Sequence, residues 1–257
     1  MPILTLPRIG PAERALYREE GYFILEGAIG AEDLALLRAE CAKAVASRDA
    51  ELDRLGVDTE GLTHRGKRYF VRQPSLVSPE LLRFFLGETM AACARATVGP
   101  EAFAFYEQYV VKCGEQGMRF GWHQDGGYVK SFNPCPYVTC WCALDDVSEA
   151  NGTAYILPFS RAGTRELVDH VRDPENNDMV GYHGDDPGIP VVGPAGTIAV
   201  FSSTTFHRSG ANTTPKPRRA YVAQYSPQVI RKADGTALHR SEPILRGGAR
   251  VADQVLS

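Results

Sequence analysis

From Phe103 onward the chain is cut into short runs of β-branched and aromatic residues, at 103–113, 137–144, 153–157, 197–201 and 219–226. Turns rich in Gly, Pro, Asn and Asp separate them. That texture predicts a β-sandwich or jelly roll. The first hundred residues read differently. Pro11–Glu20 is a short amphipathic stretch, and Gly21-Tyr-Phe-Ile-Leu25 reads as a strand. Leu34, Leu37, Cys41, Val45 and Leu52 recur at helical spacing between Ala31 and about Leu55. Pro79 to Val98 repeats that pattern as one helix, with Pro79 suited to a first helical position and Gly99-Pro100 ending it.

A chain of 257 residues, 44% of them hydrophobic, can bury one large core, so a single domain is expected. Its parts are a mainly helical 1–100, a jelly-roll core at 101–228 and a C-terminal tail at 229–257. Between Pro158 and Pro190 lies a long polar stretch with Asp173-Pro-Glu-Asn-Asn-Asp178 and Gly184-Asp-Asp-Pro187. Arg161 to Pro190 holds too few apolar residues for a core. We read 159–190 as a structureless lid insert, mobile without ligands and ordered with them. The net charge of −3 is not the footprint of a nucleic-acid binder. No window of 18 apolar residues suggests a membrane span, and the first residues lack the apolar run of a secretory leader. A cytoplasmic monomer or homodimer is expected. Cys41, Cys93, Cys113, Cys135, Cys140 and Cys142 then default to free thiols. Cys135, Cys140 and Cys142 lack the paired spacing of a zinc site, and Cys140 and Cys142 fit one face of a strand.

Within the strand-like half stands His123-Gln124-Asp125, followed far downstream by His207 and then Arg218. Side chains two apart on a strand face the same way, so His123 and Asp125 can both point inward while Trp122 and Gln124 point out. A second histidine from another strand would complete two imidazoles and one carboxylate, the facial set that holds non-haem Fe(II) and leaves positions open. His207 follows the apolar run Thr197–Phe201, which suits a strand end. The competing tripeptide His183-Gly-Asp185 sits in a Gly/Asp/Pro-rich loop where period-two alignment has no reason to hold. His64, His170 and His239 lie in polar surroundings and read as surface residues.

Arg218 opens the apolar segment Ala220-Tyr-Val-Ala223. An arginine at the start of a buried strand is costly unless paired, and its planar fork suits a carboxylate. With Fe(II), Asp125 and a bound dicarboxylate, the charge of Arg218 brings the set to neutrality. The competing reading is an ordinary surface ion pair at Arg218 or Arg219.

Taken together, these residues resemble the phytanoyl-CoA dioxygenase family of Fe(II)/2-oxoglutarate oxygenases. The resemblance runs over most of the chain, through Glu20-Gly-Tyr-Phe-Ile-Leu25, Ala31-Glu-Asp-Leu34, Gly121-Trp-His-Gln-Asp125, Thr139-Cys-Trp-Cys-Ala-Leu-Asp-Asp146, Asn151-Gly-Thr-Ala-Tyr-Ile-Leu-Pro158, His207-Arg-Ser-Gly-Ala-Asn212 and Pro217-Arg-Arg-Ala220. It departs at Pro158-Phe-Ser-Arg161, where the family has a Gly and a His. The resemblance implies a double-stranded β-helix, a cupin-like jelly roll that is mainly β, with N-terminal helices packed outside. It implies His123, Asp125 and His207 as iron ligands and Arg218 as the partner of the distal carboxylate of 2-oxoglutarate, helped by Ser209. Trp141, Thr139 and Phe120 would line the co-substrate pocket, and Gln108 could face it; for Trp141 and Phe120 plain core packing is the alternative.

The implied reaction couples O2 and 2-oxoglutarate to hydroxylation of an unactivated C–H bond of a small molecule, releasing succinate and CO2. Asp125 fills the position a halide would need, which favours hydroxylation over halogenation. The basic run Arg65, Lys67, Arg68 and Arg72 could greet an anionic substrate or be a solvated strand or loop. Two other readings stay open here: a cupin-type dioxygenase or isomerase without 2-oxoglutarate, and a non-catalytic metal-binding homologue.

Overall fold

A computed structural model describes residues 8–129 and 131–251. Residues 1–7, 130 and 252–257 lie outside the description, including the start of the N-terminal segment and the end of the tail. Two antiparallel sheets pack face to face as a jelly roll, with helices against the outer face of the larger one. The central order of the larger sheet is Tyr22–Leu25, Ile198–Ser202, Val138–Ala143, Arg218–Ser226, Ala102–Lys112 and Arg68–Arg72. The smaller sheet runs Ile189–Pro190, Ala154–Leu157, Phe206–Ser209 and Phe120–His123.

Alternation along the central strands divides the interior in two. Tyr109, Val111, Cys140, Cys142, Tyr221, Ala223 and Tyr225 face the helices and form the larger core with Leu37, Phe85 and Met90. Their neighbours Trp141, Ala143, Ala220 and Val222 face the smaller sheet and pack with Ala154 and Ile156. Buried hydroxyls bind the helices to the sheet, with Tyr109 donating to the Leu37 carbonyl at 3.1 Å and Tyr225 to that of Phe85 at 2.6 Å. The six cysteines are free. Cys140 and Cys142 share the helix-facing side, as their spacing suggests, and Cys93 lies in the same core.

Several expectations need correction. Pro79–Val98 is two helices, Pro79–Phe85 and Glu88–Thr97, because the backbone at Gly87 turns extended (φ −76°, ψ 170°) and starts the second. His207 does not end the 197–201 run; it lies on a separate strand, Phe206–Ser209, in the opposite sheet. The 229–257 tail folds back, adding Pro243–Arg246 beside Ala102–Lys112 and burying Ile244 and Leu245. The basic run contains a true strand, Arg68–Arg72, which extends the larger sheet.

The 159–190 insert is not structureless. It carries a helical turn at Phe159–Ala162, a ribbon of Val171–Arg172 with Met179–Val180, and the edge strand Ile189–Pro190. Polar contacts fasten it to the smaller sheet. Gly181 N–H donates to the Trp122 carbonyl at 2.9 Å, Met179 N–H to the Tyr128 hydroxyl at 2.8 Å, and Val168 N–H to Gln124 Oε1 at 2.9 Å. Asp178, 2% exposed, accepts from Gly121 N–H at 3.0 Å and pairs with Arg68 at 3.0 Å.

Bonds of this kind protect amides from exchange. Hydrogen exchange on the ligand-free protein is therefore expected to show protected amides at Val168, Met179 and Gly181. Uniformly fast exchange from 161 to 190 would show that the insert is a free lid instead.

Candidate metal centre

His123 and His207 stand directly opposite one another on neighbouring strands of the smaller sheet. Their ring centroids are 4.0 Å apart. The strand ends at His123, but Gln124 stays extended (φ −110°, ψ 135°), so Asp125, the first residue of a 3-10 turn, falls on the same side as His123. Gln124 points the other way and is fully buried, its amide nitrogen donating to the Glu166 and Thr204 carbonyls at 2.8 and 2.6 Å. Trp122 also turns outward, against Tyr182 and Arg208.

Each imidazole is fixed through its Nδ1. That of His123 is 2.8 Å from the Gly121 carbonyl, and that of His207 is 3.2 Å from the Thr205 carbonyl. A carbonyl only accepts, so Nδ1 carries the proton and Nε2 presents its lone pair. Burial, then the neighbouring His207, push His123 well below the usual histidine range. Its neutral form is the one a metal binds. Asp125 Oδ2 accepts from Thr139 Oγ1 at 2.5 Å and from Gln224 Nε2 at 3.0 Å. Its Oδ1 lies 3.5 Å from His207 Nε2 and 3.8 Å from His123 Nε2.

One ligand atom from each of His123, Asp125 and His207 thus lies within 4.8 Å of the others. Two imidazole nitrogens and one oriented carboxylate oxygen, with no thiolate, suit Fe(II) with open positions. The rival pair is elsewhere: His183 and Asp185 are exposed on the insert. His170 is not a plain surface residue. Its Nε2 accepts from Gln124 N–H at 2.9 Å, and its ring sits where a Cβ on Gly127 or Gly181 would collide with it.

Two cavities meet at this centre. The narrower is lined by His123, Asp125, His207 and by Phe120, Thr139, Trp141, Gln108 and Ser209. It also contains Lys112 and Arg68, which the sequence reading did not single out for it. Arg218 is not on its wall, although Lys112 and Trp141 are; the guanidinium carbon lies 5.4 Å from the Trp141 ring centroid. Lys112 lies directly across the strands from both Arg68 and Arg218. These three buried cations form one row with exposures of 0%, 0% and 1%.

The row is short of anions. Arg68 pairs with Asp178 and donates to the carbonyls of Leu62, Arg119 and Asn176. Lys112 Nζ donates to the Gly210 carbonyl. Arg218 Nη2 donates to the Gly152 carbonyl at 2.9 Å, while its Nε and Nη1 have no partner among the described residues. Gly152 is in the left-handed region (φ +75°), where a Cβ would strike the Gly210 carbonyl. Burial pulls Arg218 down to about 10. Burial, then the charges of Arg218 and Arg68, push Lys112 well below the usual lysine range. Arg219 faces out and pairs with Asp145 at 2.6 Å. The sequence did not single out Lys112 or Gln224: its one signal was a polar residue on an otherwise apolar strand, which does not say what lies opposite, and Gln224 lies in register with Thr139.

The family model described as phytanoyl-CoA dioxygenase (PhyH) matches residues 17–220. An ectoine dioxygenase of Bordetella parapertussis is 28% identical over 232 residues, covering 82% of this chain and 73% of its own. The peroxisomal phytanoyl-CoA dioxygenase of Rattus norvegicus is 24% identical over 229 residues, covering 83% and 67%. Among solved structures, EctD from S. alaskensis with 2-oxoglutarate and 5-hydroxyectoine superposes with a TM-score of 0.69 at 22% identity, covering 95% of this chain and 90% of its own. The epimerase SnoN, in complex with Fe3+, alpha ketoglutarate and nogalamycin RO, gives 0.68 at 21% identity, covering 90% and 94%.

Partners that orient a metal ligand typically contribute about 10- to 100-fold in metal affinity. Thr139→Val should therefore weaken Fe(II) binding by about that factor, and Thr139→Ser should restore it. Competition against a fluorescent chelator under anaerobic conditions measures both. An unchanged affinity in Thr139→Val would remove the hydroxyl from the account of how Asp125 is held.

Proposed function

Because the chain belongs to the phytanoyl-CoA dioxygenase family, and is accordingly an oxidoreductase that uses Fe(II), 2-oxoglutarate and O2, we propose that it hydroxylates an unactivated C–H bond of a small molecule, with succinate and CO2 as co-products. One observation carries the co-substrate assignment: Lys112 and Arg218 lie side by side, buried and without a carboxylate partner among the described residues, beside the cavity that holds the triad. A dianion is what such a pair lacks. This favours a 2-oxo diacid over a metal reaction that uses none.

His123, Asp125 and His207 would hold the iron, which when bound supplies the oxidation of C–H by O2 coupled to decarboxylation of 2-oxoglutarate. The protein's own part is orientation. Thr139 and Gln224 hold Oδ2 of Asp125 so that Oδ1 faces the histidines. The guanidinium of Arg218 offers Nε and Nη1 to the distal carboxylate, Lys112 adds a second positive charge, and Ser209 adds a hydroxyl on the cavity wall. Trp141 and Phe120 close the same cavity with apolar surface, which keeps water from these ions and strengthens the pairing. The insert covers the triad from the Gln124 side. No helix among the described residues is long and apolar enough to cross a membrane, and six free thiols support a reducing compartment, the cytoplasm.

Truncating one partner of a buried ion pair typically costs about 2–5 kcal/mol. Lys112→Met and Arg218→Met should each weaken 2-oxoglutarate binding by at least about tenfold. Arg219→Ala, on the outer face, should do much less. Binding is read anaerobically from the visible band near ~500 nm expected when a 2-oxo acid chelates non-haem Fe(II). The depressed Lys112 adds a pH signature. A bound dianion raises its pKa, so binding takes up protons and weakens as pH rises through the free-state value. Equal losses at Arg218 and Arg219 would sink the assignment.

Asp125 supplies the third ligand, which leaves no protein-vacated position for a halide. Once a substrate is in hand, turnover under 18O2 should give a product one labelled oxygen heavier, with no response to chloride. An unlabelled product, such as an epimer or a ring-closed species, or a chlorinated one, would refute hydroxylation.

A further inference from the structure

We propose that the second, wider cavity takes a substrate with an apolar ring-sized body and a carboxylate remote from the reacting carbon, and that Arg72 is the residue that selects the carboxylate. The proposal rests on the reading of the triad as an iron and 2-oxoglutarate centre.

The cavity has a volume of about 390 Å³, within the range of sites that enclose small organic ligands. It begins at His123 and Asp125, so whatever fills it lies against the triad. Six aromatic side chains line it: Phe70, Phe105, Tyr106, Phe120, Tyr128 and Tyr137. Its charges are one-sided. Among the described residues Asp125 is the only carboxylate on its wall, and that group is turned toward the histidines by Thr139 and Gln224. Among the described residues Arg72 is its only arginine or lysine. An ammonium substrate would find no counter-ion there, whereas an oxyanion would find a guanidinium fork.

Arg72 is also free to act. Its side chain has no hydrogen bond and no ion pair to the described residues, while nearby arginines are committed. Arg65 pairs with Asp53 and Asp58, Arg48 with Glu51 and Glu60, and Arg240 with Glu242. Strand register explains its position. Residues 68, 70 and 72 share the inner face. Arg68 lies opposite Lys112 at the co-substrate end, and Arg72 lies opposite Gln108. Four strand residues separate the two arginine backbones by about 13 Å. Gln73 then takes a left-handed conformation (φ +49°), which breaks alternation and lets two consecutive residues, Arg72 and Gln73, line the cavity. His239 completes this end, its ring packed on Phe105 and Tyr106. Partial burial, then the charge of Arg72, keep that imidazole below its usual range, leaving it a neutral hydrogen-bonding group.

The test uses three matched series of benzoic, phenylacetic, 3-phenylpropanoic and cyclohexanecarboxylic frameworks, each as carboxylate, primary amide and amine. Binding to the Fe(II)-loaded protein is measured by anaerobic calorimetry at saturating 2-oxoglutarate, so that the co-substrate site is already filled. At least one carboxylate should bind at least about tenfold tighter than its amide, the scale of one charge-assisted hydrogen-bonded pair. Arg72→Gln should abolish that difference with melting temperature unchanged, and Arg72→Lys should recover part of it. Preference for the amines, parity of acid and amide, no binding by any carboxylate, or discrimination that survives in Arg72→Gln would each overturn the proposal. Loading with 2-oxoglutarate is checked first. If it fails, the functional reading falls and takes this inference with it; if it succeeds and the carboxylate preference is absent, this inference alone falls.

Discussion

Period-two alternation in the larger sheet is the constraint on which the rest of the molecule depends. Val138–Ala143, Arg218–Ser226 and Ala102–Lys112 each serve two environments at once. Cys140, Cys142, Tyr109, Tyr221 and Tyr225 go to the helix side, where apolar packing and two hydroxyl-to-carbonyl bonds fix the helices. Thr139, Trp141, Gln108, Lys112, Arg218 and Gln224 go to the other side, where they meet the triad or the groups around it. A slip of one residue would exchange these sets, putting Tyr221 and Cys140 toward the triad and Arg218 among leucines. The large helix-side core therefore does more than stabilise the fold: it locks the register that aims the site.

The inner face carries a cost that the helix-side core must offset. Three buried cations share one row with Asp178 as their one paired carboxylate among the described residues. Desolvation pulls both Lys112 and Arg218 below their usual ranges, and the charges of Arg218 and Arg68 push Lys112 down further, so the row acts against the folded state. A bound dianion reverses the sign of that interaction, so binding and stability are linked. Neutral residues at these positions would make a more stable protein with a weaker claim on a diacid.

What was legible in the sequence follows from this division. The strand runs were visible because β-branched and aromatic residues cluster between turn residues. Period two also separated inward Arg218 from outward Arg219, a separation seen in the Arg219–Asp145 pair. The helix break at Gly87 was not legible, since apolar spacing continues across it. Neither were Lys112 and Gln224, because a single polar residue on an apolar strand does not announce which partner the next strand brings opposite. The insert was misread for a related reason. It has no periodicity, and what orders it is a scatter of long-range polar contacts: His170 with Gln124, Asp178 with Gly121 and Arg68, Met179 with Tyr128.

Those contacts also decide what kind of cover the insert can be. Gln124 is the residue between two of the triad's members, and its backbone N–H and side chain make four bonds: the N–H to His170, the amide nitrogen to the Glu166 and Thr204 carbonyls, and Oε1 accepting from Val168 N–H. Three of the four end on the insert. Gly121, whose carbonyl fixes Nδ1 of His123, gives its own N–H to Asp178 of the same insert. Lifting residues 166–178 away would therefore break bonds to the peptide that spaces His123 from Asp125 and to the one that sets the His123 tautomer. A cover attached in this way cannot open fully without loosening the ligands beneath it. Its position is part of what holds these side chains in place, and from the other side the wide cavity reaches the triad past Arg72 and the aromatic wall.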